Sequence, residues 1–354
     1  MAPARVIRWV EDEAGFEALA PQWEALAETH PYPFLRHDWL RCWWDAFGGS
    51  KTLAVCTAWD NGDLTGVFPL CRRGGQLEVM KNVHSPVYRP FARDEETLRA
   101  IVAAAVEAAG GFLLVAHLPD GDPSISMLDE LARGAGELTL LEHQHISPIV
   151  RLEEFAMGRK SEKELARLRR RLEGDHEEVV FSAVEAPVDL EAELREGLAV
   201  EASGWKGTSQ TAIVHEPATE RFYRLVAERF AAAGRLRLAS ISVAGHMIAF
   251  DLCLVDYGRL WVLKGGYDED FRRYAPGLLL TRAEIDRAAE LGLEAVELLG
   301  DEADWKKKFS NDARVHWLVH SYRRRPGPVA RYGYRRFVRP PLRTVVRRVR
   351  GLHG

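Results

Sequence analysis

Carboxylates, phenols and a group of cations beside glycines stand close together between residues 201 and 309. Asp251 lies on a strand-like run whose same-face neighbours, Ala249, Cys253 and Val255, are apolar. An acid held there is desolvated, so its pKa rises toward the range of a general base. A structural ion pair with Lys264 or Lys206 is the competing account. Glu201 and Asp301 are the other candidate bases, and Tyr267 and Tyr274 are phenols able to give up a proton. The run Arg272-Arg273-Tyr274-Ala275-Pro276-Gly277 opens a helix with Leu278, Ile285, Ala288 and Ala289 on one face. Proline at a first helical position needs no N–H partner, and Gly277 lets a ligand approach amides at the positive end of the helix dipole. Such a turn suits a phosphate.

The surrounding elements must aim these groups. Leu236 and Leu238, the Ala244-Gly245 turn, and Ile248, Phe250, Leu252 and Leu254 describe a hairpin. A strand Leu260–Lys264 follows and ends in Gly265-Gly266, a pair that permits a bulge or the close approach of another chain. Ala295–Leu299 is expected to be the next strand, stopped by Gly300-Asp301, with Asp301 capping a helix that carries Asp304, Trp305, Lys306, Lys307 and Lys308. Upstream, a helix Asp189–Ala202 runs into Glu201-Ala-Ser-Gly-Trp205-Lys206-Gly207. Gly204 and Gly207 allow a sharp exit there, which leaves Trp205 and Lys206 either in a helix C-cap or at the site.

The order strand, Arg-rich turn, helix, strand resembles the acyl-CoA site of the GNAT acetyltransferase superfamily. With Ile248-Ala-Phe-Asp251, Lys264-Gly-Gly-Tyr267-Asp268, Tyr274-Ala-Pro276-Gly277 and Trp305-Lys306, residues 34 to 309 resemble the CelD-like acetyltransferases, a GNAT branch similar to the Fem peptidoglycan aminoacyl transferases. Ala275 stands where the family pattern has glycine, and Trp305 where tyrosine is more usual. The resemblance implies a mixed α/β fold of two tandem GNAT-like domains that moves an acyl group from acyl-CoA to an amine on a cell-envelope or polysaccharide precursor. Lys264, Gly265, Arg272, Arg273, Ala275, Pro276, Gly277 and Leu278 would then hold acetyl-CoA or another acyl-CoA. Glu201, Asp251, Tyr267 and Tyr274 would do the proton transfers, and Trp205, Lys206, Asp301 and Lys306 would meet the acceptor. Asp268, Glu269 and Asp270 should face away from the diphosphate. Fem-like transfer from aminoacyl-tRNA, and a non-catalytic scaffold of the same fold, remain as alternatives.

The 354 residues, 47% hydrophobic and 28% charged, are enough for two ordinary domains. The divisions expected are residues 1–150, without cofactor, 151–320, with the acyl-CoA site, and a basic tail 321–354. In the first half, a helix Phe34–Phe47 is expected to pack on the sheet of a hairpin Thr52–Trp59/Leu64–Arg72, followed by a helix Glu95–Ala109 and a strand Phe112–His117. The absence of glycine after Val87-Tyr-Arg-Pro-Phe-Ala92 argues against a second phosphate turn. Cys42, Cys56, Cys71 and Cys253 lack ligand or oxidoreductase spacing, and His143-Gln-His145 lacks a third ligand, so no metal is expected. In the helix Ser161–Leu172, Arg167, Arg169, Arg170 and Arg171 are expected to pair with Glu162, Glu164 and Glu173, contact with an anionic acceptor being the alternative.

No membrane-length apolar run or signal-peptide pattern is present, which leads to the expectation of a cytoplasmic protein. The tail holds 11 arginines and no acidic residue, leaving −15 on the rest of a chain whose net charge is −4. Residues 322–339 read as irregular, and 342–352 as a short basic amphipathic helix able to lie on an anionic membrane surface or touch RNA, or as an unordered end.

Overall fold

The computed structural model describes residues 5–185, 187–203 and 213–338. The chain forms two compact units: one from the chain up to His30, Ser50–Gln144 and the chain from His316, the other from Pro31–Gly49 and His145–Val315.

In the first unit, strands Val6–Val10, Val55–Asp60, Asp63–Phe68 and Phe91–Ala92 make an antiparallel sheet in that order. Asn61 and Gly62, with φ of 54° and 94°, turn the central hairpin, the geometry an Asn-Gly pair adopts readily. The helix Glu95–Ala109 begins where Asp94 accepts from the Thr97 N–H and ends at left-handed Gly110. It buries Leu98, Ile101, Val102, Ala105 and Val106, the stripe that 3.6-residue spacing places on one face. Strand Phe112–Pro119 pairs antiparallel with His316–Tyr322, near the other end of the chain.

His30 lies in this unit, edge-on to Phe91 at 5.2 Å between ring centres. Burial, helped by Arg89, pushes its pKa from 6.5 down to about 4. The folded state therefore prefers the neutral ring, and its contribution is fully present above pH 6.5 and lost as pH falls toward 4. His30→Phe is expected to flatten stability against pH across that window, as read from urea midpoints.

The second unit holds strands Val179–Val184, Leu236–Val243, His246–Asp256, Arg259–Tyr267 and Ala295–Glu297, with the Ile149–Arg151 end of strand Leu138–Arg151 beside the last. All pair antiparallel except Arg259–Tyr267 with Ala295–Glu297, which are parallel and joined through helix Pro276–Glu290. A parallel pair needs such a crossover. Ala244 and Gly245, both at positive φ, make the expected hairpin turn.

Helices Arg159–Asp175 and Pro276–Glu290 bury Leu165, Leu168, Leu172, Leu279 and Ile285 with Ala239, Ile241, Ala249 and Cys253 in one apolar cluster. On the other face, helix Leu190–Ser203 sets Gly197 against Phe250, whose ring a Cβ at Gly197 would meet at 2.4 Å. Arg167 and Arg169 pair with Glu164 and Glu173 on their own helix, as expected, and Arg171 pairs with Asp175.

Three expectations are corrected. The aromatic helix, His37–Phe47, packs with the second unit rather than on the first sheet. Trp39 meets Phe222 of helix Pro217–Ala232 at 5.1 Å, Phe34 meets Trp261 at 5.3 Å, and buried Arg36 grips Asp256 through Nε and Nη2 at 2.5 and 2.9 Å. Spacing marked these rings as buried but could not say against what. Residues 326–338, expected to be irregular, form a helix Pro326–Gly333 and a wider turn Tyr334–Val338; Pro326 at the first position starts the helix instead of breaking it. The helix expected to be capped by Asp301 is only a short turn Lys306–Lys308, because a run of lysines offers no apolar face. Residues 342–352 lie outside the described residues.

All four cysteines are buried, unbridged thiols. Among the described residues no helix is long and apolar enough to cross a membrane, and no cluster of metal-ligating side chains occurs.

Candidate active site

The site begins where the parallel strands part. Arg259, Leu260 and Trp261 face Ala295, Val296 and Glu297, and pairing stops there although the first strand runs on to Tyr267. Leu299 and Gly300, with φ of 46° and 58°, bend the second chain away. From Val262 onward that edge of the first strand has no strand partner among the described residues. On its other edge, Leu252 pairs with Lys264 and Cys253 with Val262, so Leu263 is the extra residue of a bulge.

The point of divergence is braced. Fully buried Glu297 takes Arg259 Nη1 at 2.7 Å on Oε1, and Arg314 through Nη1 and Nη2, each at 2.7 Å. Arg314 also lies over the rings of Tyr32 and Trp261.

A cavity of about 710 Å³ opens in the gap. Its floor is the bulged strand, and the double glycine has a separate reason at each position. A Cβ on Gly265 would fall on the Asp251 carboxylate, which lies across from it in the sheet. A Cβ on Gly266 would lie 2.5 Å from the Glu201 Cα, since the helix backbone rests on this strand. Glu201 thus comes from the helix on the Phe250 face, and Asp251, one residue further along the strand, from the opposite face. Glu201 Oε2 accepts from the Ile213 N–H at 3.0 Å. Lys264 sits over the Tyr223 ring at 5.4 Å.

At one end of the cavity helix Pro276–Glu290 starts. Ala275 is its N-cap in the left-handed region, φ 49° and ψ 55°, and its carbonyl accepts from Leu278 and Leu279. The Gly277 N–H has no partner among the described residues, and Thr281 Oγ1 donates to the Gly277 carbonyl at 2.9 Å. The Tyr267 ring packs against Gly277, where a Cβ would approach it to 3.3 Å. Burial, then the charge of Glu269, raises the Tyr267 pKa and keeps the phenol protonated. Exposed Arg272 lines the cavity and has no ion pair among the described residues. The helix is fixed to the sheet by Glu284, buried against Arg237 at 2.9 Å. Burial raises the Glu284 pKa against the pull of Arg237.

An L-residue pays for left-handed backbone by about 1–2 kcal/mol, less the roughly 0.4–1 kcal/mol that alanine saves in the unfolded chain. Ala275→Gly is therefore expected to raise stability by about 0.5–1 kcal/mol in urea melts, with ligand binding kept.

The cavity brings together Glu201, Asp251, Tyr267, Lys264, Gly265, Arg272, Ala275, Gly277, Leu278, Asp301 and Lys306 of the residues singled out from sequence. It leaves out others. Tyr274 is buried, donates to Asp175 at 2.9 Å and meets His176 at 3.0 Å, so its phenol is committed elsewhere. Arg273 stacks on Tyr274 at 4.6 Å and reaches Asp175, and Pro276 is packed in the core. The Lys306 ammonium is occupied by the carbonyls of Leu299 and Asp301, which makes it a clasp on the bent loop. Asp268 turns outward, as expected, to cap the Glu269–Tyr274 turn at the Asp270 N–H. Trp205 and Lys206 lie outside the described residues. The sequence reading missed Thr281, Leu298 and Ala303 as lining residues. Only Thr281 carried a signal, one helical turn beyond Gly277.

Residues 159–307, which hold every residue lining the cavity, match the model of the acetyltransferase (GNAT) domain. No curated protein matches the sequence. Among solved structures, L-PGS from Bacillus licheniformis is similar over 90% of this chain and 95% of its own, at 15% identity and a TM-score of 0.56. FemX is similar over 86% and 95%, at 10% identity and 0.56. A tandem GNAT protein from the clavulanic acid biosynthesis pathway is similar over 89% and 98%, at 14% identity and 0.51. At such identities the likeness is one of fold, and the fold is the expected mixed α/β arrangement of two GNAT-like domains in tandem.

Proposed function

We propose that the second unit is an acyl-CoA-dependent N-acyltransferase of the CelD-like kind. The observation that carries this reading is the parting of the parallel strands after Trp261 and Glu297, with a cavity in the gap and an unpartnered helix N-terminus at its end. Acyl-CoA would supply the activated thioester. Arg272 and the Gly277 N–H would hold its diphosphate, and an extended, amide-bearing arm would lie along the strand beyond its last pairing with Glu297. The bulge at Leu263 lines the cavity, where a backbone N–H would stabilise negative charge developing on the acyl oxygen. Asp251 and Glu201 reach the cavity from opposite faces of the strand, one to take the proton of the attacking amine and the other to orient it. Tyr267, held protonated, is the donor for the departing thiolate. The acceptor class, an amine on a cell-envelope or polysaccharide precursor, rests on the CelD-like resemblance.

Thermal melts with acetyl-CoA, longer acyl-CoAs and tRNA test the donor, because a ligand that binds only the folded state raises its stability. Stabilisation by an acyl-CoA that Arg272→Ala weakens is expected. Stabilisation by tRNA alone would move the assignment to Fem-like transfer. Asp251→Asn or Glu201→Gln, whichever removes the base, is expected to lower kcat by about 10²–10⁴-fold with donor binding intact. Unchanged kcat in both would dismiss the two carboxylates as bases.

A further inference from the structure

Acyl transfer leaves the stretch Pro326–Val338 of the first unit unused. Its helix buries no residue, and Val329, Tyr334 and Phe337 are 41%, 54% and 69% exposed. Arg331 and Arg336 are exposed and have no ion pair among the described residues. Between this stretch and strands Phe112–Pro119 and His316–Tyr322 lies a cleft of about 530 Å³, lined by Phe112, His320, Tyr322, Tyr334, Arg331 and Arg335. Arg335 contacts His320 and lies 3.6 Å from Glu142, so Arg331 is the cation left to answer a ligand there. The sequence continues from residue 339 with five more arginines and no acidic residue, interspersed with Leu342, Val345, Val346 and Val349.

We propose that this face docks on an anionic phospholipid surface. Phe337, Tyr334 and Val329 enter the headgroup layer, Arg331 and Arg336 meet lipid phosphates, and the cleft accepts one headgroup. Guanidinium groups bind phosphate oxygens strongly, and aromatic and aliphatic side chains beside them gain by leaving water for the boundary of the acyl region. A purely ionic partner would leave Phe337 in water. The rest of the chain, at −15, is repelled by the same surface, so contact is confined to this face. The proposal is independent of the transferase reading.

The test is sedimentation of the purified full-length protein with phosphatidylcholine vesicles, with and without phosphatidylglycerol. Pelleting is expected only with phosphatidylglycerol and to weaken as salt rises. Arg331→Gln and Arg336→Gln should each lower the partition coefficient about fivefold. Phe337→Ser should lower it without altering the salt dependence. All three residues are exposed, so thermal melts and acyl-CoA response should match the parent. Equal pelleting with both vesicle types, no pelleting, or phosphatidylglycerol-dependent pelleting that all three substitutions spare would overturn the proposal. So would tRNA binding lost in the same variants in the absence of vesicle binding, which would assign the face to nucleic acid.

Discussion

Gly266→Ala is expected to damage the site through its scaffold, by a clash that no side-chain rotation relieves. The added Cβ would lie 2.5 Å from the Glu201 Cα, a backbone atom of a helix that cannot rotate out of the way. Either helix Leu190–Ser203 lifts or the bulged strand sinks. Overpacking of this kind costs about 1–3 kcal/mol. The larger consequence is geometric, since Glu201 and Asp251 line the cavity on either side of this strand. A displacement near 1 Å of a group that must meet a substrate lowers turnover by about 10²-fold. Urea midpoints and kcat, measured together, separate the two effects. A variant with parental stability and parental turnover would show that helix and strand are not in contact there.

Glu297→Ala is expected to be the most destabilising of the substitutions considered. It leaves Arg259 and Arg314 facing each other with the carboxylate gone, their side chains only 17% and 11% exposed. Removing one partner of a buried ion pair costs about 3–5 kcal/mol, because the charge left behind keeps its desolvation penalty. Glu297→Leu combined with Arg314→Met should recover part of that loss, since a buried pair replaced by apolar groups of similar size is often tolerated. Because Glu297 is the last paired residue before the strands part, the single variant should also weaken whatever binding of the proposed acyl-CoA the parent shows. A urea midpoint unmoved by Glu297→Ala would mean that water already solvates both arginines.

The hairpins were legible in the sequence because turn chemistry and alternation agree: Asn61-Gly62 and Ala244-Gly245 adopt the positive φ angles the turns need. The Arg272–Gly277 turn was legible for a similar reason, its proline and glycine having local backbone meanings. What stayed hidden depends on distant partners. Nothing in the spacing of Trp39 and Phe34 says that their neighbours are Phe222 and Trp261. Tyr274 and Tyr267 look alike in sequence, and only packing against Asp175 and His176 removes the first from the site. Lys306 read as a cation for an acceptor, but the bend at Leu299-Gly300 brings two carbonyls to its ammonium first. The bulge fell at Leu263, one residue before the Lys264-Gly265-Gly266 run that signalled it, and the glycines turned out to make room for Asp251 and Glu201.

The pairing of Phe112–Pro119 with His316–Tyr322 has a bearing on how the protein is made. A ribosome delivers the chain from its N-terminus, and domains ordinarily acquire structure in that order. Here the earlier unit must wait for a strand translated some two hundred residues later, whereas every segment of the later unit has been synthesised by Val315. Biosynthesis therefore allows the unit that holds the cavity to mature first, and a premature stop just before His316 would spare its segments while leaving the other unit one strand short.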